Sequence, residues 1–304
     1  MDMQVAFAGL DLKNPIMTAS GTFGYGTEFM PYGKLEELGA IVVKGISLAP
    51  RKGNPQPRIT ETACGMLNAI GLQNIGVEAF LRDKLPQLPW RTTPVIVNLY
   101  AQAVEEFAEL TDRLATAKGV AGLEVNISCP NVREGGVQFG QDPVLAARVT
   151  EAVKKRAGAL PVMVKLSPNV TDVTVMARAV ADGGADCISC INTLTGMAVD
   201  IHSRRPCLAN VVGGLSGPAI KPVALRMVHQ VVRAVDVPVV GLGGISSAED
   251  VLEFLLVGAH AVQLGTANFV RPDTAFKLVD EVRRLAEEMG ISAWEDFRGT
   301  LELP

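Results

Sequence analysis

Short runs of β-branched and aliphatic residues recur along the chain. Each is followed by a stretch whose apolar positions fall three and four apart. The runs are PIMTAS (15–20), AIVVKGIS (40–47), TPVIVNLY (93–100), GLEVNISC (122–129), PVMVKLSP (161–168), DCISCINT (186–193), VPVVGLGGI (237–245) and AVQLGTA (261–267). Most are apolar without alternation, as parallel strands covered on both faces should be. Between them, AVEEFAELTDRLATAKG and DPVLAARVTEAVKKRAG show helical spacing and close on a glycine. Eight strand–helix units within about 250 residues predict an α/β chain folded as a (β/α)8 TIM barrel. A doubly wound open sheet is the alternative. No stretch rich in Pro, Gly or Ser divides the chain, so residues 1–304 are expected to form one domain. The opening MQVAFAGLDLKNP reads as a hairpin turning at Gly9 and covering the barrel bottom. The closing EEMGISAWEDFRGTLELP reads as a terminal helix plus tail.

Barrel enzymes build their sites at the C-terminal ends of the strands. Those ends carry Ser20, Lys44, Asn98, Asn126, Cys129, Lys165, Asn192, Thr193, Gly243, Gly244, Gly265 and Thr266, whereas the strand starts are plain. This one-sided polarity favours an enzyme over a scaffold. Lys44 interrupts IVVKG and Lys165 interrupts VMVKL. A buried ammonium without a partner is costly. For either lysine alone, a side chain snorkelling to water is the lesser alternative. Two at equivalent strand ends point to a bound anion, or to a ring that becomes anionic.

Three glycine clusters follow: VVGGLSGPAI (211–220), GLGGISSAED (241–250) and LGTANF (264–269). Loops after strands seven and eight of such barrels often hold a phosphate against a helix N-terminus. GGISSAED fits, with Ser246 or Ser247 as N-cap and Glu249 and Asp250 in the first turn. No GxGxxG fingerprint or P-loop is present. One phosphate and a long body reaching two lysines across the mouth suggest FMN.

Composition narrows the field. The 304 residues are 48% hydrophobic with a net charge of −4 and no basic run, so nucleic acid is not an expected partner. No apolar stretch reaches the length of a membrane span, and the N-terminus does not read as a signal peptide. Five cysteines, an odd number, point to a reducing cytoplasm rather than a disulfide framework.

Cys129 opens the loop CPNVREGGVQFGQDP, a plausible lid over the mouth. His229 lies in a helical stretch, His260 at a strand start and His202 in an unplaced loop, so a Cys–His pair is weakly supported. A thiol with an ordinary pKa of about 8.5 can instead act as a base toward an activated carbon. Asn68, Asn126, Asn131 and Asn192 can each donate and accept, which suits a cyclic amide. Cys187 and Cys190 form a CxxC, but three residues apart on a strand they face opposite ways, so both are expected in the core. No metal or iron–sulfur cluster is expected on this chain.

Together TASGTFGYG, VVKGIS, NAIGLQN, NISCPN, VKLSPN, INT, GGLSG, GLGGI and LGTA resemble class 1 dihydroorotate dehydrogenases over nearly the whole chain. The resemblance implies a flavin-bearing barrel oxidising dihydroorotate to orotate in pyrimidine biosynthesis. It implies Cys129 as the base that takes the C5 proton while a C6 hydride goes to FMN. It places Lys44, Asn68, Gly71, Leu72, Asn126, Asn131, Asn192 and Thr193 around the pyrimidine. It gives FMN to Ser20, Lys44, Gly45, Asn98, Asn126, Lys165, Ile191, Gly217, Gly243, Gly244, Gly265 and Thr266. NAIGLQN is most like the class 1B catalytic subunit, whose partner subunit carries FAD and a 2Fe–2S cluster and passes electrons to NAD+. A heterotetramer of two of each is then expected. Gln73 stands where the fumarate-linked class 1A has a proline. The remaining alternatives are class 1A, a tRNA dihydrouridine synthase-like barrel, and a flavin- or phosphate-binding barrel without catalysis.

Overall fold

The computed structural model describes residues 1–128 and 139–304. Eight parallel strands form one sheet: β1 (Ile16–Thr18), β2 (Ile41–Ile46), β3 (Val95–Leu99), β4 (Gly122–Asn126), β5 (Val162–Leu166), β6 (Cys187–Cys190), β7 (Val239–Leu242) and β8 (Ala261–Leu264). Each of the eight apolar runs holds one of them. The order runs β1-β8-β7-β6-β5-β4-β3-β2, and a parallel bridge from Met17 to Ala40 closes it. The sheet is therefore a barrel and not the open alternative. Val42, Val97, Leu123, Val164, Ile188, Val240 and Val262 are fully buried, which explains the unalternating apolar runs.

The main outer helices are α1 (Val104–Ala115), α2 (Pro143–Lys154), α3 (Val173–Asp182), α4 (Lys221–Val232), α5 (Ala248–Leu256) and α6 (Thr274–Glu288). Three begin on side-chain caps. Asp142 accepts from the amides of Val144 and Leu145, Asp172 from that of Thr174, and Ser247 from that of Asp250. No helix among the described residues is long and apolar enough to cross a membrane.

The opening hairpin pairs Val5–Phe7 with Leu10–Leu12 and turns at Ala8 and Gly9, both at positive φ. Ala8 and Leu10 stand beside Ile96, Gly122, Pro161 and Cys187, at the starts of four strands. It thus seals the bottom. The buried Trp294, in the short helix Trp294–Phe297, donates its indole N–H to the Met3 carbonyl and fixes the hairpin from outside.

A second sheet was not expected. Leu194–Met197, Val212–Ser216, Gly65–Asn68 and Ile59–Thr62 form four antiparallel strands in that order, rising from the chain after β2 and β6. GGLSG therefore belongs largely to a strand, and only its last glycine, Gly217, reaches the barrel's glycine loops. His202 lies in the exposed turn joining the small strands Val199–Asp200 and Arg205–Pro206.

Candidate active site

The polar strand ends gather at the C-terminal rim. Lys165, on β5 in register with Asn126 and Ser189, is 4% exposed. Lys44, near the end of β2, is half-buried. Neither ammonium has a hydrogen bond or ion pair among the described residues. Burial pushes the Lys44 pKa down, and the neighbouring Arg58 guanidinium pushes it further. An anion at the mouth would offset both effects.

Each asparagine is oriented by what one end of its carboxamide already holds. Asn126 Oδ1 accepts from the Ser128 amide at 3.1 Å and from Asn192 Nδ2 at 3.3 Å, which leaves Asn126 Nδ2 as a donor. Asn192 Oδ1 accepts from the Thr193 amide at 2.8 Å. Asn68 Nδ2 donates to the Gly214 carbonyl at 3.3 Å, so its Oδ1 remains to accept. Asn98 Nδ2 donates to Glu124 at 2.6 Å, and its Oδ1 is buried without a partner among the described residues. The mouth thus offers both donors and acceptors, as a ring with alternating C=O and N–H groups requires.

The covering sheet brings distant residues together. A Cβ on Gly214 would collide with Thr193, which places Thr193 beside the Gly214–Asn68 pair. A Cβ on Gly45 would stand 2.9 Å from Asn98 Oδ1 and 3.9 Å from Leu72 Cδ2. Gly71 and Leu72 both have positive φ, and a Cβ on Gly71 would strike Asn54.

The glycine end forms a separate cradle. Ile191 donates its amide to the Leu242 carbonyl, next to Gly243. A Cβ on Gly244 would meet the Gly217 carbonyl at 2.9 Å, and one on Gly217 would lie 3.6 Å from Thr266. Thr266 donates to Ser216 Oγ at 2.8 Å. Gly265 stands 3.6 Å, measured to its would-be Cβ, from Ala19, the neighbour of Ser20. Behind the cradle, Ser247 and Asp250 close a capping box on α5. Asp250 also accepts from Ser246 and from Lys221 Nζ, so that cation is already engaged. Exposed glycine amides and a helix N-terminus can hold a phosphate.

Cys129 and Asn131 lie outside the described residues, as does most of the expected lid. Of the other expected site residues, Lys44, Gly45, Asn98, Asn126 and Lys165 lie near the ends of barrel strands, Ser20, Ile191, Asn192, Thr193, Gly243, Gly244, Gly265 and Thr266 just beyond such ends, and Asn68, Gly71, Leu72 and Gly217 in or beside the covering sheet. Residues passed over in the sequence also stand at the rim or just beneath. Arg58, held by Gln73 Oε1, sits near Lys44. Glu124, on β4, is fully buried and accepts from Asn98, Ser189 and Gln263. The Glu124 signal was legible: a charge inside a strand buried on both faces, as for the lysines. Cys187 and Cys190 are both buried, and burial pushes both thiols up. Among the described residues, no group of three or more His, Cys, Asp or Glu is placed to hold a metal.

Fold and rim together define a (β/α)8 barrel that carries its chemistry at the C-terminal mouth. The chain belongs to the dihydroorotate dehydrogenase family: the family model described as "Dihydroorotate dehydrogenase" matches residues 2–286. Similar proteins include the "dihydroorotate dehydrogenase B (NAD(+)), catalytic subunit" of Solidesulfovibrio magneticus, 67% identical over 303 residues, covering 100% of this chain and 99% of that one. The protein of the same description from Maridesulfovibrio salexigens is 64% identical over 304 residues, covering 100% of both chains. That from Geobacter sulfurreducens is 57% identical over 302 residues, covering 99% of both.

Proposed function

We propose that this chain is the FMN-bearing catalytic chain of an NAD-linked enzyme that oxidises dihydroorotate to orotate in pyrimidine biosynthesis, in the cytoplasm. The observation that carries the reading is the pair Lys44 and Lys165. Two cations stand at equivalent strand ends, one buried and one half-buried, without partners among the described residues. Such groups need an anionic ligand, or one on which negative charge develops.

FMN fits the residues present. Its phosphate matches the cradle of Gly217, Gly243, Gly244, Gly265 and Thr266. A ring N–H would satisfy the orphaned Asn98 Oδ1. Ser20, Gly45, Asn126 and Ile191 would border the ring, and Lys165 would sit where reduction places negative charge. When bound, FMN supplies the acceptor for the C6 hydride. Lys44 pairs with the substrate carboxylate, while Asn68, Gly71, Leu72, Asn126, Asn131, Asn192 and Thr193 surround the pyrimidine. Cys129 takes the C5 proton. The electron pair of the C5–H bond becomes the ring double bond, and that of the C6–H bond leaves with the hydride. A partner subunit carrying FAD and a 2Fe–2S cluster then accepts the electrons and reduces NAD+, in a heterotetramer of two of each chain.

Cys129→Ala tests the reading. Loss of a general base typically slows a reaction by ~10²–10⁴-fold. The variant should therefore keep its yellow FMN spectrum while dihydroorotate oxidation falls by that order. Near-wild-type turnover would remove Cys129 as the base. A colourless wild-type protein would remove the flavin.

A further inference from the structure

Glu124 lies in the middle of β4, fully buried, in a strand otherwise given to the barrel core. Its two oxygens take three hydrogen bonds from three other strands. Oε2 accepts from Asn98 Nδ2 on β3 at 2.6 Å. Oε1 accepts from Ser189 Oγ on β6 at 2.9 Å and from Gln263 Nε2 on β8 at 2.7 Å. All three partners are themselves buried.

The arrangement has a directional consequence. A carboxamide that gives its N–H2 to one neighbour must turn its oxygen to the other side. Asn98 Oδ1 and Gln263 Oε1 are both buried and both lack a partner among the described residues. Buried acceptors left unsatisfied are costly, and native structures keep few of them. A core held together for stability alone would pair these oxygens internally. Here the Asn98 oxygen instead points to the end of β2, 2.9 Å from where a Cβ on Gly45 would stand. Only a glycine leaves that approach open. Glu124 is two residues below Asn126 on the same strand, so the carboxylate lies directly beneath the mouth.

We propose that Glu124 is a positioning residue. It fixes the Asn98 carboxamide with its oxygen toward the mouth, making position 98 an obligate acceptor for a ligand ring N–H. This rests on the flavin reading above, since the ring in question is that of FMN. Glu124 itself touches neither ligand nor reacting atoms. Its effect is to choose which end of Asn98 the ligand meets.

E124Q tests this at constant size. A glutamine side chain brings its own N–H2, and the unpartnered oxygens beside it are those of Asn98 and Gln263. Asn98 then loses the charged acceptor that holds its N–H2, and can turn that N–H2 to the ligand, a mismatch of donor against donor. FMN titrated into flavin-free protein should bind about tenfold or more weakly in E124Q, and the visible band of the bound flavin should shift. N98A should weaken FMN by a similar factor. E124Q added to N98A should cost little more, because the residue it positions is gone. A purely structural Glu124 would give additive losses and an unshifted flavin band, which overturns the proposal. If E124Q does not fold, E124D takes its place in the same cycle: FMN affinity unchanged in E124D, or losses additive with those of N98A, overturn the proposal, and losses that do not add support it. A wild-type protein that binds no FMN overturns the flavin reading and the positioning role together. A wild-type protein that binds FMN, with unchanged affinity in E124Q, overturns the positioning role alone.

Discussion

At the scale of single residues, the mouth is a set of groups held in states they would not choose without a ligand. Lys44 is the clearest. Burial lowers its pKa first and Arg58 lowers it further, so the protonated form is disfavoured in the fold. The unfolded chain therefore binds this proton more tightly. Stability contributed by this site is lowest near neutral pH and rises as pH climbs from the depressed folded value to the ordinary lysine value of about 10.4. Lys44→Met should raise the melting temperature of the flavin-free protein near pH 7 by about 1–2 °C, as a fraction of a kcal/mol does for a large domain. That gain should shrink toward pH 10, while the Michaelis constant for dihydroorotate rises. Thermal melts across pH check the first part, and a lower melting temperature at pH 7 would contradict it. Both lysines were legible because a charge inside an apolar run breaks the pattern. Glu124 breaks GLEVN in the same way, but its signal is masked by the denser run of polar residues that follows it in NISCPN. Arg58 carried no such signal. It lies in a polar stretch, and only the fold of residues 53–74 brings it to Lys44.

At the scale of elements, strands buried on both faces declare themselves and strands of a small covering sheet do not. Val212–Ser216 reads as a glycine loop because Gly213 and Gly214 dominate it, yet both pair in an antiparallel ladder with Leu194–Met197, and Gly214 pairs with Asn68 on its other side. Its partner Asn68 is almost 150 residues away, and no local pattern encodes so distant a pairing. The glycines there serve close packing: side chains at 213 and 214 would strike Leu208 and Thr193. The loop after β7 behaves differently. Gly244 has φ +77, and a Cβ would stand 2.7 Å from Lys221 Cβ, 2.8 Å from its backbone nitrogen and 2.9 Å from the Gly217 carbonyl. Gly244→Ala should therefore displace the loop that joins β7 to α5 and weaken FMN by about tenfold or more. Gly158→Ala is the control. Gly158 also has positive φ (+60), but nothing lies within 4 Å of its would-be Cβ. It should cost only the conformational penalty, about 1 kcal/mol, and leave FMN binding unchanged. Equal FMN affinity in both variants would separate the Gly244 loop from the cofactor.

At the scale of the whole molecule, the barrel divides its labour between two ends. The bottom is sealed by the hairpin Val5–Leu12 and by Trp294, whose indole binds the Met3 carbonyl. His260 stands at that closed end beside Phe7, and burial, aided by Arg298, lowers its pKa to about 4. It is a neutral, half-buried group far from the rim in strand position. All the chemistry-bearing residues that the structure describes stand at the other end. On the proposed reading, one mouth would serve both half-reactions, entry of a hydride from the substrate and exit of two electrons. The glycine cradle after β7 and β8 would, on the same reading, hold one phosphate-bearing cofactor. The sequence carries neither a GxGxxG fingerprint nor a P-loop, and its cysteines are scattered, whereas a 2Fe–2S cluster takes four thiolates held together. The chain expressed alone should accordingly bind FMN and oxidise dihydroorotate with an artificial dye, yet reduce NAD+ at most slowly. Adding a subunit that carries FAD and a 2Fe–2S cluster should restore NAD+ reduction without changing the dye rate. Steady-state assays with dye, NAD+ and fumarate in turn make the comparison. Rapid NAD+ reduction by the isolated chain would end the two-subunit reading. Rapid fumarate reduction would move the chain to the fumarate-linked class, and Gln73, paired with Arg58 beside Lys44, would then need another explanation than the choice of electron acceptor.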